Sequence, residues 1–163
     1  MDDFLLAPWQ AKLALATLFL SLIISSVTDL RRRLILNAVT YPALLIVLGC
    51  FLWLGGLELV GHATLGILVC AGPMLLGLLL GAIGAGDVKL MAVSGAVSGA
   101  AAGWAFSLTV LIHVSLAGGL QAVAWILAAR LRGHDRPRYV PYGLAIALGT
   151  FSAFLWGTPF LSP

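Results

Sequence analysis

Two aspartates stand out in a chain of 163 residues that carries only six acidic side chains. Asp29 stands one residue before a run of three arginines, Arg31, Arg32 and Arg33, and Asp87 lies in the glycine-interrupted stretch Gly84-Ala85-Gly86-Asp87-Val88-Lys89-Leu90. Taken singly, each acid could be a helix-end charge, with Asp29 pairing to the adjacent arginines and Asp87 to Lys89. Taken together they could do acid–base chemistry. Two carboxyl groups a few Å apart cannot both ionise cheaply, so one keeps a proton while the other is charged. The ionised acid can then draw a proton from water as it attacks a peptide carbonyl, and the protonated acid can donate to the carbonyl oxygen. Such a hydrolysis needs neither a metal nor a covalent intermediate. Ser94, Ser98 and Ser115 with His113 as a base would be the nucleophilic alternative, but small hydroxyl residues in apolar helices ordinarily serve packing. His62 and His134 read as external-face and loop residues.

The elements that must position these acids are membrane helices. The sequence is 61% apolar and 9% charged, against the roughly 25% charged of soluble domains, and its mean hydropathy is +1.09. Water is the wrong solvent for such a surface, and the chain is expected to be an all-α membrane protein. A charge left at bilayer depth costs roughly several kcal/mol unless it is partnered, so charges mark the ends of spans. Spans are expected over 13–28, with Trp9 at the interface, over 37–55, and over 63–83. The 40 residues from 90 to 129 carry no formal charge and suit two crossings. A sixth span is expected over 140–158. Glu58 and His62 mark the expected turn between the second and third spans, and the small-residue stretch 94–103 the turn between the fourth and fifth. Nothing is left over for a soluble domain, so residues 1–163 are read as one transmembrane domain. Cys50 and Cys70 fall inside apolar runs without a CxxC pair, which suggests core residues and neither disulfide nor zinc site.

Lys and Arg in short loops tend to stay in the cytoplasm. Arg31, Arg32 and Arg33, Lys89, and Arg130, Arg132, Arg136 and Arg138 fall in three alternate loops, which puts those loops inside, both termini outside, and the two acids together at the cytoplasmic face. The net charge of +3, clustered beside apolar runs, points to lipid headgroups and not to nucleic acid. Gly81, Gly84 and Gly86 weaken the helix next to Asp87 and would let backbone or another chain approach the acid. Gly72 and Gly77 read instead as small-residue contacts between helices.

Three segments together resemble the type IV prepilin peptidases, membrane-embedded aspartyl proteases with a GxGD motif. They are Asp29-Leu-Arg-Arg-Arg-Leu-Ile-Leu-Asn37, similar to the family's Asp, basic residues and Ile-Pro-Asn; Gly84-Ala-Gly-Asp87-Val-Lys-Leu90, similar to GxGDxKL; and Val140-Pro141-Tyr142-Gly143-Leu-Ala-Ile-Ala147, similar to the Pro-Tyr/Phe-Gly-x-Ala opening of the last helix. Leu36 stands where the family often has proline. The resemblance implies that Asp29 and Asp87 are the catalytic dyad, supported by Asn37, Gly84, Gly86, Lys89, Pro141 and Gly143, with no metal or other cofactor. It implies a multi-pass protein of the bacterial cytoplasmic membrane whose partner is a type IV pilin or pilin-like precursor, cut just after a short basic leader. The zinc-binding insert of the larger, N-methylating members is not seen, so the chain resembles the short, peptidase-only branch associated with tight-adherence, Flp-type pili. Homo-oligomerisation is left open. Two other readings compete: a small transporter or channel subunit relaying protons or a cation through the same aspartates, and a non-catalytic assembly factor in which either acid is dispensable.

Overall fold

A computed structural model of the chain describes residues 8–81, 83–131 and 141–156. Within them the chain is helical: α1 (Trp9–Arg32), α2 (Asn37–Leu79), α3 (Ala85–Leu131) and α4 (Tyr142–Trp156). The first three are long and apolar enough to cross a membrane, and α4 is a shorter apolar helix. The expected basic loop after Leu131, with Arg132, His134, Arg136 and Arg138, lies outside the described residues, as do Asp2 and Asp3.

α2 has 43 residues and α3 has 47; at 1.5 Å per residue they would run about 65 and 70 Å if straight, over twice the ~30 Å of a bilayer core. Neither is straight. α2 breaks at Gly55 (φ −140°, ψ 17°) and Gly56 (φ 63°, ψ −152°). α3 breaks with nearly the same pair of conformations at Ala102 (φ −152°, ψ 20°) and Gly103 (φ 76°, ψ −175°). The second residue of each turn occupies a region of backbone space open essentially to glycine alone. In α3 the break reverses the chain. The hydroxyls of Ser98 and Ser107 are 2.9 Å apart, whereas nine residues of straight helix would separate them by about 13 Å. The described residues thus form six helical segments.

One expected turn is relocated and the other is narrowed to the end of its expected stretch. Glu58 and His62 do not form the turn in α2; they ride exposed on the arm that follows Gly55 and Gly56. A glycine pair supplies the required backbone angles, and an acid such as Glu58 is well placed in the first turn after it, where the peptide dipoles favour negative charge. In α3 the small residues from Ser94 to Gly99 are helical and buried, and the turn falls at the end of the stretch. Their smallness serves packing. A side chain on Gly66 would run into the backbone of Gly95 and Gly99, and one on Gly99 into the carbonyl of His62, so the second arm of α2 lies directly against the first arm of α3. That is the small-residue contact expected of Gly72 and Gly77. Gly72 instead faces open space, and the nearest atoms to Gly77 are those of the Ile83 side chain.

Edge-to-face rings tie α1 and α3 to α4: Phe19 with Phe151 and Phe154, and Phe106 with Phe154 at 5.0 Å. Cys50 and Cys70 are free and buried, as expected of core residues, and the Cys70 thiol donates to the Ser107 carbonyl. Outside this core the helices present bare Leu, Ile and Trp side chains, among them Trp53, Leu57, Leu68, Leu120 and Trp156, a surface suited to lipid.

Candidate active site

The last turn of α1 carries Asp29, and the helix stops at Arg33, whose left-handed backbone (φ 55°) lets its amide donate to the Asp29 carbonyl at 2.8 Å. Residues 34–36 are outside any helix, and the last of them, Leu36, is extended as it enters α2. After α2 the chain turns through Gly81 and Gly84 into α3, and Asp87 stands in the first turn of that helix. The amides of Asp87 and Val88 donate to the Gly84 carbonyl, and the Gly84 amide donates back to Asp87 Oδ2 at 3.2 Å. Asp87 thus closes its own helix start in the manner of a capping box. A Cβ on Gly84 would sit 3.0 Å from that oxygen, and one on Gly86 2.7 Å from Ile35 Cβ. The missing side chain at position 86 lets the start of α3 close against the strip that follows α1.

The third segment meets the first. The Gly143 amide, in the first turn of α4, donates to Asp29 Oδ2 at 2.8 Å, and the Ser26 hydroxyl donates to the Gly143 carbonyl at 3.1 Å. Asp29 therefore satisfies an amide that its own helix could not. A Cβ on Gly143 would lie 3.0 Å from Asp29 Oδ2. Both acids are buried, Asp29 at 1% exposure and Asp87 at 7%, and they lie within electrostatic reach of one another, with the Tyr142 phenol within reach of Asp87. Asp87 Oδ1 is buried without a hydrogen-bond partner. An open cavity of about 540 Å³ lies against Asp87, lined by residues 33–37 and by Gly84, Gly86 and Lys89.

The other residues singled out from sequence gather here too. Lys89 donates to Asn37 Oδ1 at 2.7 Å and lies 4.8 Å from the centre of the Tyr41 ring, clasping the start of α3 to the start of α2. Asp87 makes no ion pair among the described residues, so the alternative reading of it as a helix-end charge paired with Lys89 is not what the structure shows. The Pro141 carbonyl accepts from Gln121 Nε2 at 2.6 Å. Gln121 and Ser26 are the residues that sequence reasoning missed. Gln121 did carry a signal, as the single amide side chain in the charge-free run from 90 to 129, where a polar group must find a partner.

The serine alternative does not assemble. His113 Nδ1 lies 2.9 Å from the Thr109 carbonyl, while Ser94, Ser98 and Ser115 bond within their own helices or to Thr150 and Ser107. Among the described residues no three histidine, cysteine or acidic side chains group as a metal site. What the arrangement offers is acid–base chemistry by two buried carboxyl groups from separate helices, beside a cavity able to admit a peptide.

Comparison with known proteins agrees with these segments. A family model described as the type IV leader peptidase family matches residues 16–123, a range containing both acids. The prepilin leader peptidase/N-methyltransferase of Aeromonas hydrophila is 33% identical over 161 residues, covering 93% of this chain and 52% of that protein. The protein of the same name from Aeromonas salmonicida (strain A449) is 33% identical over 154 residues, covering 88% and 50%. The chain spans about half the length of these curated relatives, and no solved structure matches it. With the family match taking in more than half of its residues, the chain belongs to the type IV leader peptidase family.

Proposed function

We propose that the chain is a membrane-embedded aspartyl endopeptidase that removes the short basic leader from type IV pilin-like precursors at the cytoplasmic face of the bacterial inner membrane, with Asp29 and Asp87 as its catalytic pair. The observation that carries the reading is the convergence of these two buried carboxyl groups, 58 positions apart in sequence, at one end of the bundle and beside a cavity. Family membership supports the substrate class. One acid in each protonation state would share the work of activating water and protonating the scissile carbonyl.

In this reading the chain crosses the membrane six times with both termini outside. The glycine turns support it, as does the sorting of residues by end: Pro8, Leu54, Leu59 and Ala101 line a small apolar cavity remote in sequence from the Asp29, Lys89 and Tyr142 end. Three arginines and Lys89 lie beside the acids, which favours the cytoplasm for that end. A precursor with a positive leader and an apolar stem would then present the junction between them level with the carboxyl groups. Both acids stand at helix ends and not at mid-helix, which fits a protease better than a mid-membrane ion relay. The peptidase-only reading, without methyl transfer, is part of the same proposal.

Co-expression with small pilin-like precursors, followed by intact-mass measurement, tests the cleavage and the absence of methyl transfer together. The expected product is a precursor shortened at the leader junction, with no methyl group added by this chain. Asp29→Asn and Asp87→Asn are each expected to lower cleavage by about 10²- to 10⁴-fold, the usual contribution of a positioned acid or base, while the protein still inserts. Full processing by either variant would sink the mechanism, and an unaltered precursor mass with the parent chain would sink the function.

A further inference from the structure

Between α1 and α2 three residues, 34–36, belong to no helix. Leu36 has φ −78° and ψ 127°, and side chains alternate along the strip: Leu34 is exposed, Ile35 is buried against Gly86, and Leu36 is half-buried. This is the pattern of a strand lying on a surface. The strip has no strand beside it among the described residues. Among the described residues the amides of Leu34, Ile35 and Leu36 and the carbonyls of Leu34 and Ile35 have no hydrogen-bond partner, whereas the Leu36 carbonyl is taken by the amides of Val39 and Thr40. Backbone groups left unpaired are costly wherever water is withdrawn.

The strip is also held in place. The Arg33 amide ties its upstream end to the Asp29 carbonyl. The Lys89 bond to Asn37 fixes its downstream end to the start of α3. It lines the same cavity as Gly84, Gly86 and Asp87. An unpaired edge held open against one of the two acids has the features of a receptor for an extended chain.

We propose that residues 34–36 are the substrate-binding edge of the enzyme: the precursor lies extended across the cavity and pairs its backbone with this strip as an added strand, setting its scissile carbonyl beside Asp87. The inference rests on the peptidase reading above and deepens it. A helical stem keeps its carbonyls bonded within its own helix, so the residues to be cut must unwind before carboxyl groups can reach them. Unwinding frees amides and carbonyls, and the strip supplies partners for them. Leu34 and Leu36, on the outward side of the strip, would each meet every second residue of the bound chain.

Disulfide mapping tests the pairing. Leu34→Cys and Leu36→Cys are made separately in the Asp87→Asn background, so that the precursor stays whole. Each is oxidised with copper phenanthroline against precursors carrying single cysteines at successive positions around the scissile bond. The expected result is that the two variants trap precursor positions two residues apart, with the position between trapped at least about 5-fold less, since a directly opposed pair is within disulfide reach and its neighbour faces away. A synthetic precursor N-methylated at the amide so placed opposite the strip should show KM raised about 5-fold, the worth of one hydrogen bond, with flanking N-methylations nearly silent. Trapping spread evenly over consecutive positions, spaced three or four apart as for a helix, or absent altogether would overturn the proposal. The parent chain acting on the cysteine-free precursor keeps the two readings separate. Cleavage without alternation sinks only the strip, whereas no cleavage sinks the peptidase.

Discussion

At Gly86 a single methyl group decides how α3 begins. A Cβ there would sit 2.7 Å from the branched Cβ of Ile35, a position with no flexible end to swing aside, so Gly86→Ala must push the strip away from the acid. Overpacking of this kind costs about 1–3 kcal/mol, and the displaced strip should weaken substrate binding as well. Gly72, in open space within α2, is the control: Gly72→Ala should raise stability by up to about 1 kcal/mol, the helix preference of alanine over glycine. Thermal unfolding in detergent and KM for the precursor check both, and equal effects from the two variants would contradict the packing argument. The acids themselves were legible in sequence because carboxyl groups are scarce in an apolar chain. The contacts that hold them were less so. Lys89 with Asn37 could be suspected from motif positions, but Ser26 and Gln121 bond to backbone groups that only tertiary packing brings near, and no spacing rule links position 121 to position 141.

Among the elements, α4 depends on α3 for its position. Gln121 holds the Pro141 carbonyl, Gly118 leaves room for the Tyr142 ring, and two residues later the Gly143 amide reaches Asp29. Gln121 is therefore a positioning residue, acting on the acid through the turn. Gln121→Leu keeps its volume and removes only the donor, because Oε1 has no partner among the described residues. It should lower kcat about 10-fold, the worth of a charge-assisted hydrogen bond misplaced at Asp29, with KM nearly unchanged and the fold intact. Parent-like kcat would dismiss the role. The glycine turns give the other element-scale prediction. Gly103 has open space around it, so Gly103→Ala pays only for its backbone conformation, about 1–3 kcal/mol, read as a lowered Tm. Sequence placed the reversal in α2 at Glu58 and His62 because polar residues and glycines are both turn signals, and nothing in the chain alone says which of two adjacent signals the backbone will use. In α3 the same ambiguity arose within 94–103, where smallness marks both packing and turning.

For the whole molecule, the proposed orientation makes a claim that chemistry on intact cells can decide. All helix ends near the acids should face the cytoplasm and both glycine turns should face outward, so two exposed positions on one long helix must report opposite sides. Glu58 follows the Gly55–Gly56 turn, and Leu80 follows the last residue of α2; both are exposed. The native Cys50 and Cys70 are buried and give a low background. Glu58→Cys is expected to react with a membrane-impermeant maleimide in intact cells, and Leu80→Cys only after lysis. The reverse pattern would keep six crossings but turn the acids outward, away from any leader held in the cytoplasm. Labelling of both from the same side would mean that the second arm of α2 does not cross, and the two carboxyl groups would then no longer share one membrane face by virtue of topology. The positive residues argue for the first outcome physically: Arg31, Arg32, Arg33 and Lys89 all lie at the Asp29 and Asp87 end, and moving them across the membrane would set the whole cluster against the rule that retains positive loops inside.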